Sequence, residues 1–145
     1  MQKTFERKIS LTLNDAGYGM QIRKGQFIDK AHLARHEFFA EIGWANVSHE
    51  GVACTTEVIQ DTINYGGQAQ ILETLLLNLS LEHMADDRTS CVLRWDFRRE
   101  DGQPVIIVCS ELVWLRSDNG ESVPAPAGLV DCLNSLPAAP GHFAS

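Results

Sequence analysis

One long segment of the chain, and only one, repeats its apolar residues at helical spacing: Phe27, Ala31, Ala34, Phe38 and Ile42 recur every three or four positions. Gly43 follows where a helix C-terminal cap belongs. Around this helix the chain reads as strands. From Lys3 to Leu13 the apolar residues Phe5, Ile9, Leu11 and Leu13 fall on one face, with polar residues between them. After the helix, extended patterns cover Val52 to Ile63, Ala69 to His83, Thr89 to Arg99 and Pro104 to Arg116. A single helix has nothing but a sheet on which to bury its apolar stripe, so the order predicts an α+β fold with one helix against one antiparallel sheet.

The punctuation supports this division. Tyr65-Gly66-Gly67, Ala85-Asp86-Asp87 and Glu100-Asp101-Gly102 are turn signals. Ile71, Leu75, Leu77, Leu79 and Leu81 share one strand face, and Cys91, Leu93, Trp95 and Phe97 share another; both faces are expected to meet the helix. Val105 to Leu115 is apolar on both faces for much of its length, as in a central strand or one covered by a partner subunit. A short helix is expected at Gly128 to Leu136, with residues 136–145 as a loose tail. At 145 residues without an internal repeat, the chain reads as one domain spanning 1–145.

Charge and cysteine usage narrow the function classes. Lys and Arg total 12 against 19 Asp and Glu, a formal charge of -7, which repels nucleic acid and anionic membrane surfaces. Cys54, Cys91, Cys109 and Cys132 show no C-x-x-C spacing and read as buried thiols in a reducing compartment. The first residues lack an apolar signal region, and no run approaches the length of about 18 apolar residues that spans a bilayer. A cytoplasmic location is expected. His32 and His36 are spaced i and i+4, but the helix lacks the Glu of a zinc-protease motif and no third ligand is evident, so neither a metal nor a cofactor is expected. Ser10, Ser80, Ser90 and Ser110 lack a G-x-S-x-G context, which leaves a serine triad without support.

The helix with its preceding loop, LNDAGYGMQIRKGQF, resembles the hotdog-fold acyl-CoA thioesterases, in particular the 4-hydroxybenzoyl-CoA thioesterase branch. In that family D-x-D-x-x-G precedes an aromatic residue and a helix of the form Y-x-x-x-x-E-x-A-R-x-E-F/M-L, closed by a glycine. Here Phe27, Ala34, Arg35, Glu37, Phe38, Phe39 and Gly43 follow in register, and His32 replaces the helix glutamate. The resemblance implies a long central helix wrapped by a five-stranded antiparallel sheet, a homodimer or homotetramer, and active sites at the subunit interface. It implies hydrolysis of an acyl-CoA or acyl-carrier thioester. The alternative is a hotdog domain that binds an acyl thioester or a partner protein without hydrolysing it.

Thioester hydrolysis needs a nucleophile or an activated water, and donors for the oxygen that becomes negative. The resemblance assigns the first to a carboxylate and the second to the N–H groups at the helix start, near Lys24, Gly25 and Gln26. Aligned without gaps from Phe27, Asp15 matches the first Asp of the motif, Gly17 the second, catalytic one, and Met20 its glycine. A shifted loop puts Asp15 in the catalytic position with Gly19 as the glycine. Asp15 is otherwise a turn or capping residue, since Asn-Asp before glycines is ordinary turn chemistry. His32 faces the acyl pocket if it sits as the family glutamate does. Arg88, Arg98 and Arg99, near strand ends, are candidates for coenzyme A phosphates, beside Arg23 and Lys24. Arg35 is expected to form an ion pair with a neighbouring acid, and Glu73 either an interface pair or a strand bulge.

Overall fold

The computed structural model describes residues 4–17 and 22–139. The expected motif glycine, Gly19 or Met20, and the end of the expected tail lie outside these residues. The elements run β1 (Glu6–Ser10), a 3-10 turn at Leu13–Asp15, α1 (Lys24–Glu41), β2 (Val47–His49), β3 (Val52–Tyr65), β4 (Thr74–Met84), β5 (Ser90–Arg99), β6 (Pro104–Arg116), β7 (Ser122–Val123) and α2 (Ala127–Asn134). The strands form one antiparallel sheet in the order β1-β4-β5-β6-β3-β2, with β7 also on β6.

The sheet therefore has seven strands where five were expected. The two extra strands are short. β2 folds back on β3 through Glu50 and Gly51, both at positive φ (51° and 78°), and β7 pairs only Trp114 and Leu115 of β6. Strands of two or three residues carry no period for a pattern to reveal. β1 and β4 are also shorter than expected. Leu13 is exposed in the 3-10 turn, and Leu72, at φ 65°, is exposed ahead of β4. Glu73 stands just before β4, where it accepts from the Gln70 N–H at 3.0 Å and from Arg99 Nε at 2.6 Å.

The long helix turns Phe27, Ala31, Ala34, Arg35, Phe38 and Phe39 inward. Two alanines on this stripe let the helix backbone approach the sheet, while the rings interlock with it. Phe27 meets Phe97 edge-on at 5.2 Å between centroids, and Phe38 meets Phe5 at 5.5 Å. Such pairs add about 0.5–1.5 kcal/mol each beyond the area they bury. The helix stops at Gly43, whose φ of 83° suits glycine, and the Trp44 N–H reaches back to the Phe39 carbonyl at 2.9 Å. Leu75, Leu77, Leu79, Cys91, Leu93, Trp95 and Phe97 all lie in the core, as their alternation requires.

The two sheet edges differ. β1 is five residues long and carries Arg7 and Lys8, the usual protection against strand addition. β3 pairs β6 along its length from Cys54 to Tyr65, but β2 covers its other side only at Val52, Ala53 and Cys54. From Thr55 to Tyr65 that side of β3 has no strand partner among the described residues.

Candidate active site at the ends and flanks of the long helix

Asp15 ends the 3-10 turn and is buried, at 6 % exposure. The Thr12 N–H donates to its Oδ2 at 2.8 Å and the Thr12 hydroxyl at 3.2 Å. Lys30 Nζ lies 3.2 Å from Oδ1. The Gln26 amide, turned so that both its ends are satisfied, donates to Oδ1 at 3.0 Å and accepts from Arg23 at 2.8 Å. Burial works to raise the pKa of this carboxyl, but the Thr12 and Lys30 contacts together outweigh it and hold the group below the ordinary aspartate value. The Asp15 carbonyl also accepts from the Arg23 N–H at 3.2 Å, and Ala16 bridges Ile22, so the turn is stitched to the start of α1. Gly17, where the ungapped register puts the second motif Asp, is half-buried and brings no side chain.

The first N–H groups of a helix have no acceptor inside it. At α1 these belong to Lys24, Gly25 and Gln26, the last of which bonds the Arg23 carbonyl at 3.0 Å. Gly25 is exposed, and a Cβ added there meets nothing within 4 Å, so its side of the helix start is open. A cleft of about 500 Å³ adjoins this end, lined among others by Lys24, Phe27, Tyr65, Gly67, Ala69 and Ile106. Lys24 Nζ stands 5.2 Å from the centroid of the Tyr65 ring. Gly66 and Gly67 both spend their N–H groups on the Val105 carbonyl, at 2.9 and 3.0 Å, so this glycine pair shapes the cleft wall and leaves no free donor there.

On the opposite flank of α1, His32 Nε2 lies 3.0 Å from Asp61 Oδ2 of β3. The Ser110 hydroxyl of β6 donates to Asp61 Oδ1 at 2.6 Å. Asp61 and Ser110 are cross-strand partners, and both face the helix. Arg35 is buried beside them, and among the described residues it makes no ion pair of the kind expected of it. Its contact is to His36 Nε2 at 3.3 Å, and its Nε has no partner among the described residues. Burial lowers the Arg35 pKa, while the charges of Glu57 and Asp61 work against that fall. His36 is pushed down by partial burial and then by Arg35 and His32.

The three arginine candidates for coenzyme A are dispersed. Arg99 stands beside the cleft, where it donates to the Gln68 carbonyl and to Glu73. Arg98 is turned to Asp96 and the Gly102 carbonyl, and Arg88 is exposed at the far end of the sheet, in the turn between β4 and β5. The cysteines are free thiols, and burial pushes Cys91 up to about 12, which keeps it protonated. No group of three or more metal-binding side chains occurs among the described residues. No helix among them is long and apolar enough to cross a membrane.

Asp61 and Ser110 went unnoticed as a pair in the sequence because they are 49 residues apart. One signal was present at Ser110, the polar residue between Val108 and Leu112 on an otherwise apolar face of β6, whereas Asp61 joins the face of Val58 and Ile63 only through the register shift between Val58 and Gln60.

No family model and no curated protein sequence matches the chain. Solved structures do match it in shape. A 1,4-dihydroxy-2-naphthoyl-CoA thioesterase from Synechocystis superposes with a TM-score of 0.76 at 16 % identity, over 91 % of this chain and 96 % of its own. A gentisyl-coenzyme A thioesterase gives 0.71 at 12 % identity, over 90 % and 99 %. The dynemicin thioesterase, solved with attention to polyene binding, gives 0.74 at 12 % identity, over 96 % and 100 %. These structural neighbours are thioesterases of the hotdog fold. At such identities the likeness concerns architecture, and in architecture this chain has the hotdog fold on which those thioesterases are built.

Proposed function

We propose that the protein hydrolyses an acyl thioester at the start of α1. What carries this reading is the meeting of three features at one helix end: a buried, ionised carboxylate, open backbone N–H groups and a cleft of about 500 Å³ with apolar and aromatic walls. The acyl group occupies the cleft, and the carbonyl oxygen lies against the N–H groups near Gly25, where the helix dipole favours the developing negative charge. Asp15, its pKa held down, is a weak proton acceptor but stays ionised at neutral pH, which suits attack on the thioester carbon. In that step the carboxylate adds to the carbonyl, the C–S bond breaks, and a mixed anhydride and a thiolate form. Water then opens the anhydride. Of the cations, Lys24 and Arg99 stand nearest the cleft and are assigned to the phosphates of an acyl-CoA or acyl-carrier substrate.

The same reading places a second copy on the unpaired edge of β3. An exposed edge of that length is a template for strand addition, and pairing two such edges about a two-fold axis gives a homodimer with a continuous sheet.

The test is release of free thiol from a broad panel of acyl-CoA esters by the purified protein. We expect turnover on at least one ester, with free acid formed alongside, and no release on any of them rejects hydrolysis. One observation favours a second reading, a domain that binds a thioester without turning it over: Gly17 stands where the family's second Asp does, and Asp15 is already engaged by Thr12, Gln26 and Lys30. Saturable binding of an acyl-CoA with no thiol released selects it.

A further inference from the structure

Four donors meet the two carboxylate oxygens of Asp15. Oδ2 accepts from the Thr12 N–H at 2.8 Å and the Thr12 hydroxyl at 3.2 Å, and Oδ1 from Lys30 Nζ at 3.2 Å and the Gln26 amide at 3.0 Å. An ionised carboxylate offers about four lone-pair positions, so this set fills them. Attack on a carbonyl carbon uses one of those pairs, and a carboxylate with every pair engaged is held back from it. Both donors to Oδ1 stand on α1, the helix whose first N–H groups are assigned to the thioester oxygen, which makes Oδ1 the oxygen on the substrate side. The donors differ in what else holds them. Thr12 gives its backbone N–H and a short side chain from the same turn as Asp15. Gln26 lies in the first turn of α1 and is tied at its other end to Arg23 at 2.8 Å. Lys30 ends a flexible four-carbon stem and makes no other hydrogen bond or ion pair among the described residues. It also lines an open groove of about 390 Å³ between β1 and α1. Of the four donors it alone can leave Asp15 by rotating its own side chain. The charged groups around the carboxyl are Lys30 and, behind Gln26, Arg23.

We propose that Lys30 is a latch on the hydrolytic site described above, a reading on which this inference rests. On Asp15 it holds the carboxylate closed; swung into the groove it frees an Oδ1 lone pair for attack on the thioester. Both partners belong to the same chain, so the latch needs no second copy. Closed, the ion pair keeps a buried carboxylate neutralised and unreactive before substrate enters. Open, Asp15 keeps Thr12 and Gln26, which hold its place, and loses the cation that damped its charge. An ion pair whose cation reaches solvent is weak enough for the open form to be populated at equilibrium. Lys30 acts on the substrate only through Asp15 and is a positioning residue.

Lys30→Met, which keeps the stem and removes the ammonium, tests this beside Lys30→Arg, which keeps the charge. On the best acyl-CoA ester Lys30→Met is expected to raise kcat by about 2- to 10-fold, the factor by which a weak ion pair limits the open form, with KM little changed. Lys30→Arg is expected at or below the wild-type rate. The acid limb of kcat against pH should lie at higher pH in Lys30→Met, because a carboxyl that loses a neighbouring cation binds its proton more readily. A residue that only braces the turn would, when removed, lower kcat and leave that limb in place, and this result overturns the proposal. The wild type gives a readout without turnover. In nitrogen-labelled protein the Lys30 ammonium is expected on Asp15, and released from it when a non-hydrolysable acyl-CoA thioether is added; a contact that persists overturns the latch. If the wild type turns over and folded Lys30→Met is no faster, this inference alone falls. A wild type silent on every ester beside an active Lys30→Met supports the latch, and silence from both takes down the hydrolytic reading and the latch with it.

Discussion

The two flanks of α1 each hold an aspartate, and they hold it in different ways. Asp15 takes its Oδ2 contacts from Thr12, three residues away in sequence, and a cation, Lys30, from the helix. Asp61 takes its contacts from Ser110 and His32, which come from another strand and from the helix. The first arrangement neutralises the carboxylate and lowers its proton affinity. The second spends one carboxylate oxygen on a hydroxyl and the other on an imidazole. The first is therefore set by neighbouring residues and one helix cation, the second by contacts that only the tertiary fold assembles.

Breaking the first arrangement is expected to have the largest effect. Asp15→Asn, which keeps the size of the side chain, should reduce kcat by about 10³-fold or more, in the range that loss of a principal catalytic group costs. Thiol-release kinetics on the best ester measure it. Asp61→Asn should cost about 1–3 kcal/mol of stability, because it replaces a carboxylate that accepts from Ser110 and meets His32 with an amide that has a single acceptor. Equilibrium denaturation measures it, and an unchanged midpoint would show that these bonds contribute nothing.

Acid titration separates the two aspartates further. The folded-state pKa of Asp15 is depressed, so the unfolded chain binds its proton first as pH falls. Its stabilising contribution is therefore complete above the ordinary aspartate pKa of about 3.9 and is lost as pH falls through the lower folded value. The gap in unfolding free energy between wild type and Asp15→Asn should be constant near neutrality and close over that acidic window. A gap that does not change with pH would mean that the ion pair with Lys30 contributes nothing. The smallest change is expected at Gly25→Ala. The site has room for a Cβ, so stability should rise by about 0.5–1 kcal/mol from helix propensity, while kcat/KM falls because the methyl group narrows access to the N–H groups.

Much of the fold could be read from the sequence where periodicity was long. α1 with its Gly43 cap follows from the three-and-four spacing, and β6 has the expected bounds. Short elements escaped, since β2 and β7 are defined by pairing and not by pattern. Leu13 and Ile71 match the apolar pattern of their segments but lie in turns, Leu13 exposed and Ile71 half-buried, because the chain leaves the sheet before it reaches the first and has not yet entered it at the second. The site was legible to the extent that it is local. The cap between Thr12 and Asp15 is ordinary turn chemistry, readable from a few residues, whereas Lys30, Asp61 and Ser110 join their partners only through the tertiary fold. Arg35 shows the same limit: its motif position promised an acid partner, and in the fold its guanidinium reaches His36 instead.

The most direct trial of the account is a side-by-side progress curve for wild type and Asp15→Asn on the best acyl-CoA ester, following free thiol and free acid together. The account predicts one thiol per acid from the wild type and almost none from the variant, with both proteins folded. Equal release by the two would contradict it and take the chemistry away from the start of the long helix.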